Sequence, residues 1–261
     1  MKIFRTGILV VFASFLALVG PVASFAPKTA RAAASASAAN CTMTPADLSA
    51  VAAAAAQGLQ AELAARKALL TRVITCAEHD ARTSQANLNA MNLTGDAANI
   101  QSQLSGKLDD AINYYNLELG KLSQAGIAGT QAVARETLSW RQGNYDPLAA
   151  QVSNFILWAG NQAVFTTAAN RLNQVKGLAS FVDQAAPNPE LEGDLATAES
   201  LIQTAQNENA SAETALAQFV PPDQSLTLIQ QSLQSLADAY QKFSDISATV
   251  QTLLPSAPSG S

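Results

Sequence analysis

The sequence predicts an all-α fold, an elongated antiparallel bundle of five or six helices with a C-terminal coiled-coil-like hairpin. Two long segments near the C-terminus place apolar and small residues at alternating spacings of three and four. Ala, Leu, Gln and Ser are abundant, and Val, Ile and Thr are scattered rather than alternating, which favours helix over sheet. A chain of 261 residues can bury a sizeable core without metals or disulfides.

Residues 1–32 have the three parts of an export signal. Lys2 and Arg5 precede an apolar run, and small residues surround Pro21. We expect cleavage near Ala32, although the uncharged stretch from Thr6 to Pro27 is also just long enough to serve as an uncleaved membrane anchor. We expect residues 33–43 to form a flexible linker.

Cys41 and Cys76 are the only cysteines. An exported chain meets an oxidising compartment, so this pair is a possible disulfide. A straight helix from Pro45 would carry Cys76 roughly 45 Å from the linker, too far to bridge. An intramolecular bond therefore requires a break, and Gly58 is the residue that invites one. The run of alanines before Gly58 argues against the break, so an intermolecular bond or free thiols are the alternatives.

Residues 44–254 are predicted to form a single helical-bundle domain with halves 44–142 and 147–254. Thr44, Pro45 and Asp47 give the first helix a capping signal, and the pattern continues to Asn92. A second helix begins near Ile100 and is expected to end at Gly126 and Gly129.

A turn at residues 143–147 is predicted to separate the two halves. A short third helix, 131–142, leads to Gly143, and Asp146 is expected to cap a long fourth helix that runs towards Gln184. Asn188 and Pro189 repeat this signal for a fifth helix. Residues 255–261 are expected to be a disordered tail.

The fifth and sixth helices, roughly 190–218 and 225–254, carry the three-four spacing. The fifth helix places Leu191, Leu195, Ala198, Ile202, Ala205, Asn209, Ala212, Leu216 and Phe219 on one stripe. The sixth places Ile229, Leu233, Leu236, Tyr240, Phe243, Ser247, Val250 and Leu254 on another. Asn209 is expected either to set the register of the hairpin or to lie at a partly exposed end of the seam.

The charge distribution argues against nucleic acid as a partner. Without the leader, the chain has 11 basic and 20 acidic residues, and after residue 182 the only basic side chain is Lys242. Such a surface repels phosphate backbones and anionic lipids. We therefore expect contact with a membrane only through an uncleaved N-terminal segment.

No motif for catalysis, metal binding or cofactor binding is apparent. His79 is the only histidine, and Glu78 and Arg82 are spaced as a helical surface ion pair. No glycine motif has the context of a nucleophile elbow or a phosphate loop. We expect no catalytic residues, no metal ligands, no cofactor and no enzymatic activity.

The strongest concentration of large side chains is the candidate contact surface. It consists of Trp140, Arg141, Tyr145, Phe155, Trp158 and Phe165. A helix that is apolar around most of its circumference is either buried in the core or presents a surface for a ligand or partner. Trp and Arg are the residues expected at a protein contact.

The sequence is most compatible with a non-enzymatic exported protein that binds or scaffolds at or outside the cell envelope, whether periplasmic, cell-surface or extracellular. The partner, an unknown protein or envelope component, and the oligomeric state are not specified by the sequence. One alternative is a secreted helical protein that forms pores or remodels membranes. Another is a helical bundle that senses a small molecule.

Overall fold

The computed structural model of the protein describes residues 44–185 and 187–253. The predicted leader or anchor, the linker with Cys41 and the predicted tail lie outside this range. The described residues form helices and no strands, which confirms the all-α prediction. In chain order the helices are α1 (Pro45–Gln57), α2 (Leu59–Asn89), α3 (Gly95–Gln124), α4 (Ile127–Trp140), α5 (Asp146–Ala185), α6 (Pro189–Ala217) and α7 (Pro222–Leu253).

The first helix begins at the predicted capping box. The Asp47 backbone N–H donates to Thr44 Oγ1 at 3.2 Å, and the Thr44 N–H donates to Asp47 Oδ2 at 2.8 Å. The hydrogen bond from the Thr44 backbone and the bond from the Arg72 guanidinium lower the pKa of the Asp47 carboxyl to about 2. The local signal in the sequence was therefore sufficient to locate this helix start.

Gly58 interrupts the helix between α1 and α2, and an intramolecular disulfide would require such an interruption. Its φ of +120° and ψ of 169° lie in a region that side-chain-bearing residues almost never occupy. Helix α1 folds back on α2, and Arg72 Nη2 lies 2.6 Å from Asp47 Oδ2. No residue of α1 is buried, so α1 is a superficial layer on α2.

Replacing Gly58 with alanine should open this hairpin. No atom lies within 4 Å of a Cβ built at Gly58, so the penalty of about 1–3 kcal/mol comes from the backbone conformation alone. Spin labels at the exposed positions Ala50 and Thr71, in a background in which serine replaces Cys41 and Cys76 so that no disulfide holds α1 against α2, would report on the change. We expect a short separation in the parent protein and a population near 32 Å in Gly58→Ala, the span of 21 residues of straight helix.

Gly106→Ala is the matched control, because Gly106 lies inside α3, has no positive φ and has equally open space around its Cβ. That substitution should leave the label separation unchanged. A short separation in Gly58→Ala as well would contradict the strain argument.

The boundary between α3 and α4 differs from the prediction at one glycine. Gly126 is the N-cap of α4, but Gly129 lies inside that helix. Helix α4 begins four residues earlier than expected, because glycine in a helix interior costs only about 1 kcal/mol and neighbouring packing can outweigh that cost. Thr130 and Val133 supply part of this packing, since both are buried.

The predicted turn at residues 143–147 is wrong. Arg141–Tyr145 form one π-helical turn between α4 and α5, and Trp140, Arg141 and Asp146 all have right-handed helical dihedral angles. The helical path therefore runs without a break from Ile127 to Ala185, and Asp146 is not an N-cap. Gly143 and Asn144 are accommodated in the wide turn, where the Asn144 side chain donates to the Trp140 carbonyl at 3.0 Å.

The cap at the start of α6 is confirmed. Asn188 Oδ1 accepts hydrogen bonds from the backbone N–H groups of Glu190 at 3.0 Å and Leu191 at 3.1 Å. Helices α6 and α7 then form the predicted hairpin, and both also pack against α5. The C-terminal part of the structure is thus a packing of three helices, not of two.

The contact with α5 explains why the buried face of α7 differs from the predicted stripe. The buried positions in its central and C-terminal part are Ile229, Ser232, Leu236, Ala239, Phe243, Ile246 and Val250. The predicted stripe instead contained three neighbouring residues, Leu233, Tyr240 and Ser247. In the structure Leu233, Tyr240 and Ser247 are only half-buried, and the buried positions beside them are Ser232, Ala239 and Ile246. A helix that contacts two neighbours buries a wider face than a two-helix seam, and that face is centred between them.

Asn209 joins α6 to α5 through a reciprocal pair of amide hydrogen bonds. Gln162 Nε2 donates to Asn209 Oδ1 at 3.2 Å, and Asn209 Nδ2 donates to Gln162 Oε1 at 3.1 Å. Trp158 Nε1 also donates to the Asn209 carbonyl at 3.3 Å. Such polar pairs are satisfied in only one alignment, so Asn209 is placed to fix the register of α6 against α5.

Asn209→Ala should destabilise the fold by about 1–3 kcal/mol, because the partly buried Gln162 Oε1 loses its donor, although Gln162 Nε2 keeps its bond to the Trp158 carbonyl at 2.8 Å. Asn207→Ala on the exposed face of α6 should change the free energy of unfolding by less than about 0.5 kcal/mol. Urea unfolding of the two variants measures the difference. Equal stability of the two variants would contradict a role for the amide pair.

Candidate functional site

The structure places most of the predicted contact surface in the core. Tyr145, Phe155, Trp158 and Phe165 have exposed fractions of 3%, 0%, 4% and 8%. In this conformation these four side chains therefore form no contact surface. The correction follows from the fold, because α6 and α7 pack against α5, and so do α2 and α3.

Trp140 and Arg141 are the two members of the predicted surface that remain partly exposed. The indole of Trp140 stacks on the ring of Tyr114, with centroids 3.8 Å apart and the planes inclined by 12°. The rings of Trp140 and Tyr115 are nearly perpendicular, and their centroids lie 5.5 Å apart. The indole is thus held rigidly by α3, which leaves the remainder of its surface in a fixed orientation.

The π-helical turn brings Trp140 and Tyr145 to the same side of the helix. In a regular α-helix, residues five apart differ by about 140° around the axis. The wider turn reduces this difference, and the Asp146 N–H donates to the Arg141 carbonyl. Tyr115 consequently contacts both rings edge-on, Trp140 at 5.5 Å and Tyr145 at 5.8 Å. We refer to Tyr114, Tyr115, Trp140 and Tyr145 as the aromatic cluster.

Arg141 closes the outer side of the aromatic cluster. Its guanidinium carbon lies 5.5 Å from the centroid of the Tyr145 ring, and its Nε donates to Asp146 Oδ1 at 3.1 Å. A cation above the face of an aromatic ring is attracted by the ring quadrupole. Arg141 therefore has partners within the fold and is not a free cation at the surface.

A cleft of about 590 Å³ opens beside Trp140. It lies between α3, the π-helical turn with the start of α5, and the turn that joins α6 to α7. Its lining residues are Lys107, Asp110, Ala111, Trp140, Gly143, Asn144, Pro147, Leu148, Gln151, Phe219, Val220, Pro221 and Pro222. We call this feature the π-turn cleft.

Phe219 forms one wall of the π-turn cleft in a strained backbone conformation. Its φ is +53°, and among the described residues it is the only non-glycine with positive φ. The Phe219 N–H donates to the Leu216 carbonyl at 3.3 Å and the Val220 N–H to the Ala215 carbonyl at 3.2 Å. This is a Schellman motif with phenylalanine where glycine is usual. Strain of this kind clusters at binding sites.

Lys107 and Asp110 lie one helical turn apart on α3, and both line the π-turn cleft. The Lys107 ammonium lies 4.7 Å from the centroid of the Phe219 ring. Neither charged group forms an ion pair with any residue in the described part of the chain. The cleft therefore presents one positive and one negative charge.

Gln151 adds a buried polar group to the same cleft. Its exposed fraction is 3%, and its Nε2 donates to the Leu216 carbonyl at 3.5 Å. Its Oε1 has no hydrogen-bond partner among the described residues. An amide flip would turn Oε1 towards a carbonyl oxygen, so the orientation with an unpaired acceptor is the favourable one. Unpaired buried acceptors are uncommon in folded proteins.

A second groove, of about 640 Å³, lies at the α2–α3 hairpin. Its lining includes Asn89, Gln101, Ser105 and Asp109. Two of these polar groups already have partners, since Gln101 Nε2 donates to the Leu88 carbonyl at 2.6 Å and Asp109 accepts from Gln85 at 2.7 Å. The π-turn cleft is therefore the better candidate for ligand binding.

Other features give no candidate site. Glu78 and Arg82 form the predicted ion pair at 2.6 Å, next to an exposed His79. Within residues 44–185 and 187–253, no group of three His, Cys, Asp or Glu side chains is placed to hold a metal ion. In the same ranges, no helix is both long and apolar enough to cross a bilayer.

No protein-family model, curated protein or solved structure matches this chain. The function of the chain must therefore be inferred from its own residues and their geometry.

Sequence reasoning found one wall of the π-turn cleft, Trp140, and missed the others. Lys107, Asp110 and Gln151 belong to ordinary helical patterns, and only tertiary packing brings them together. Phe219 continues the three-four spacing and was expected in the helical seam. The one available signal was Pro221–Pro222, since a proline pair directly after a helix marks a rigid turn.

Titration of the tyrosines tests the packing around this site. Burial is the main cause that raises the pKa of all four, Tyr114, Tyr115, Tyr145 and Tyr240, above the ordinary value near 10. A raised pKa means that the neutral phenols stabilise the fold below pH 10, and that this contribution is lost as the pH rises further.

We expect less phenolate absorbance at pH 10 in the folded protein than in the unfolded protein, because burial raises the pKa of each tyrosine. In urea-unfolded protein about half of the tyrosines should be ionised at that pH. If a tyrosine of the folded protein titrates near pH 10, the packing described for that ring is incorrect.

Proposed function

We propose that this chain is a non-enzymatic exported protein that binds a small amphipathic ligand in the π-turn cleft, at or outside the cell envelope. The observation that supports this proposal is the combination, in one cleft, of apolar walls and two opposite charges without ion-pair partners among the described residues. A volume of about 590 Å³ falls in the range of pockets that hold small molecules.

The rigidity of the cleft also supports ligand binding. Trp140 is stacked on Tyr114, and the end of α6 is held by a complete Schellman motif. At the start of α7, Asn154 Nδ2 donates to the Pro222 carbonyl at 2.8 Å and to Ser225 Oγ at 3.1 Å. A cleft whose walls are fixed before binding loses little entropy when a ligand enters.

Export is supported by the sequence pattern of residues 1–32, and a disulfide between Cys41 and Cys76 would suit that compartment. The Asp47–Arg72 ion pair holds the start of α1 beside the part of α2 that leads to Cys76. Cys41 is three residues before Thr44, the N-cap of α1, and an extended segment of that length can reach about 10 Å. The break at Gly58 is thus what makes this bond feasible within one chain.

The binding of 8-anilinonaphthalene-1-sulfonate tests the proposed site, since this probe combines an aromatic body, an N–H donor and an anion. We expect saturable fluorescence enhancement with one site per chain. Gly143→Gln should weaken it at least tenfold, because the new side chain would occupy the cleft from a position with open space around its Cβ.

Gly160→Gln is the matched control, since Gly160 is an exposed helical glycine with similar open space and does not line the cleft. It should bind the probe as the parent protein does. Absence of saturable binding to the parent protein, or equal binding to both variants, would contradict the proposed site.

A further inference from the structure

Lys107 and Asp110 carry opposite charges at positions three apart on α3, where side chains are neighbours on the helix surface. At this spacing a direct ion pair is the usual arrangement, as it is for Lys121 and Glu118 on the same helix at 2.7 Å. Lys107 instead lies over the Phe219 ring, so the carboxylate of Asp110 remains available. The fold keeps the two charges apart at one cleft.

A ligand that complements both groups must carry both signs of charge at short separation. An anionic group would lie near Lys107, and a cationic group near Asp110. Trp140, Leu148 and Phe219 provide apolar contact for the rest of the molecule.

The net charge of the protein favours a ligand that is neutral overall. The chain has five more acidic than basic residues, and the excess is larger without residues 1–32. This field opposes the approach of an anion. A zwitterion has no net charge to be repelled and can still form both charge-assisted contacts.

We infer that the π-turn cleft binds a free α-amino acid with an apolar side chain. Its carboxylate contacts Lys107, its ammonium group contacts Asp110, and its side chain lies against Trp140 and Phe219. A short peptide, whose terminal charges are farther apart, does not match two groups one helical turn apart as well. This inference rests on the proposed function, since it names the class of ligand for the same cleft.

Isothermal titration with L-leucine, L-isoleucine, L-methionine and L-phenylalanine tests the inference on the parent protein. We expect at least one of them to bind with one site per chain and to displace the anilinonaphthalene probe. N-acetyl-L-phenylalanine lacks the ammonium group and L-phenylalaninamide lacks the carboxylate. Each should bind at least tenfold more weakly than L-phenylalanine.

Substitutions assign each charge to its partner. Lys107→Gln should weaken binding of the amino acid at least tenfold but should hardly affect the amide, which has no carboxylate to lose a contact. Asp110→Asn should weaken binding of the amino acid in the same way but should hardly affect the acetylated compound. Asp109→Asn is the matched control, because Asp109 pairs with Gln85 outside the cleft.

Three results would overturn the inference. Binding of the acetylated compound that equals or exceeds that of the amino acid would make the ligand a simple anion. Binding of the anilinonaphthalene probe to the π-turn cleft, with no amino acid able to displace it, would reject the amino acid class and leave the proposed binding function intact. Failure of both the probe and the amino acids would reject the two proposals together.

Discussion

The rest of the structure depends on the π-helical turn at Arg141–Tyr145, because it carries the chain without a loop from the packed helices α2, α3 and α4 into the packing of α5, α6 and α7. The turn widens the helix enough for Trp140 and Tyr145 to face α3 together, where Tyr115 contacts both. Packing of these large rings stabilises a turn whose geometry is less favourable than that of an α-helix. The same turn supplies Gly143 and Asn144 to the cleft, next to Trp140 at the end of α4.

Two local departures from regular structure meet at the cleft. One is the π-helical turn, and the other is Phe219 in a conformation that usually requires glycine. Both cost free energy in the isolated chain and persist because neighbouring packing fixes them. The Phe219 ring has a role that glycine could not fill, since it supports the Lys107 ammonium at 4.7 Å. The strain and the proposed binding site are therefore parts of one arrangement.

The sequence predicted the features that depend on local chemistry. The cap at Thr44, the cap at Asn188 and the helical hairpin are encoded by neighbouring residues, so pattern reasoning located them. It failed at Gly143–Pro147, where a composition typical of turns is held in a helical path by aromatic packing from α3. It also shifted the stripe of α7, because a two-helix pattern does not indicate a third helix. The cleft itself joins residues more than 100 positions apart, such as Lys107 and Phe219, and no local signal indicates that contact.

Hydrogen exchange of the backbone amides in residues 141–146 and at Leu148, followed by nuclear magnetic resonance in the folded protein, tests the central claim most directly. A continuous helical path predicts slow exchange throughout this segment, and above all at Asp146, whose N–H donates to the Arg141 carbonyl. Exchange at Asp146 as fast as in an unfolded peptide would mean that a loop separates α4 from α5. That result would contradict the alignment of Trp140 with Tyr145 and the cleft built on it.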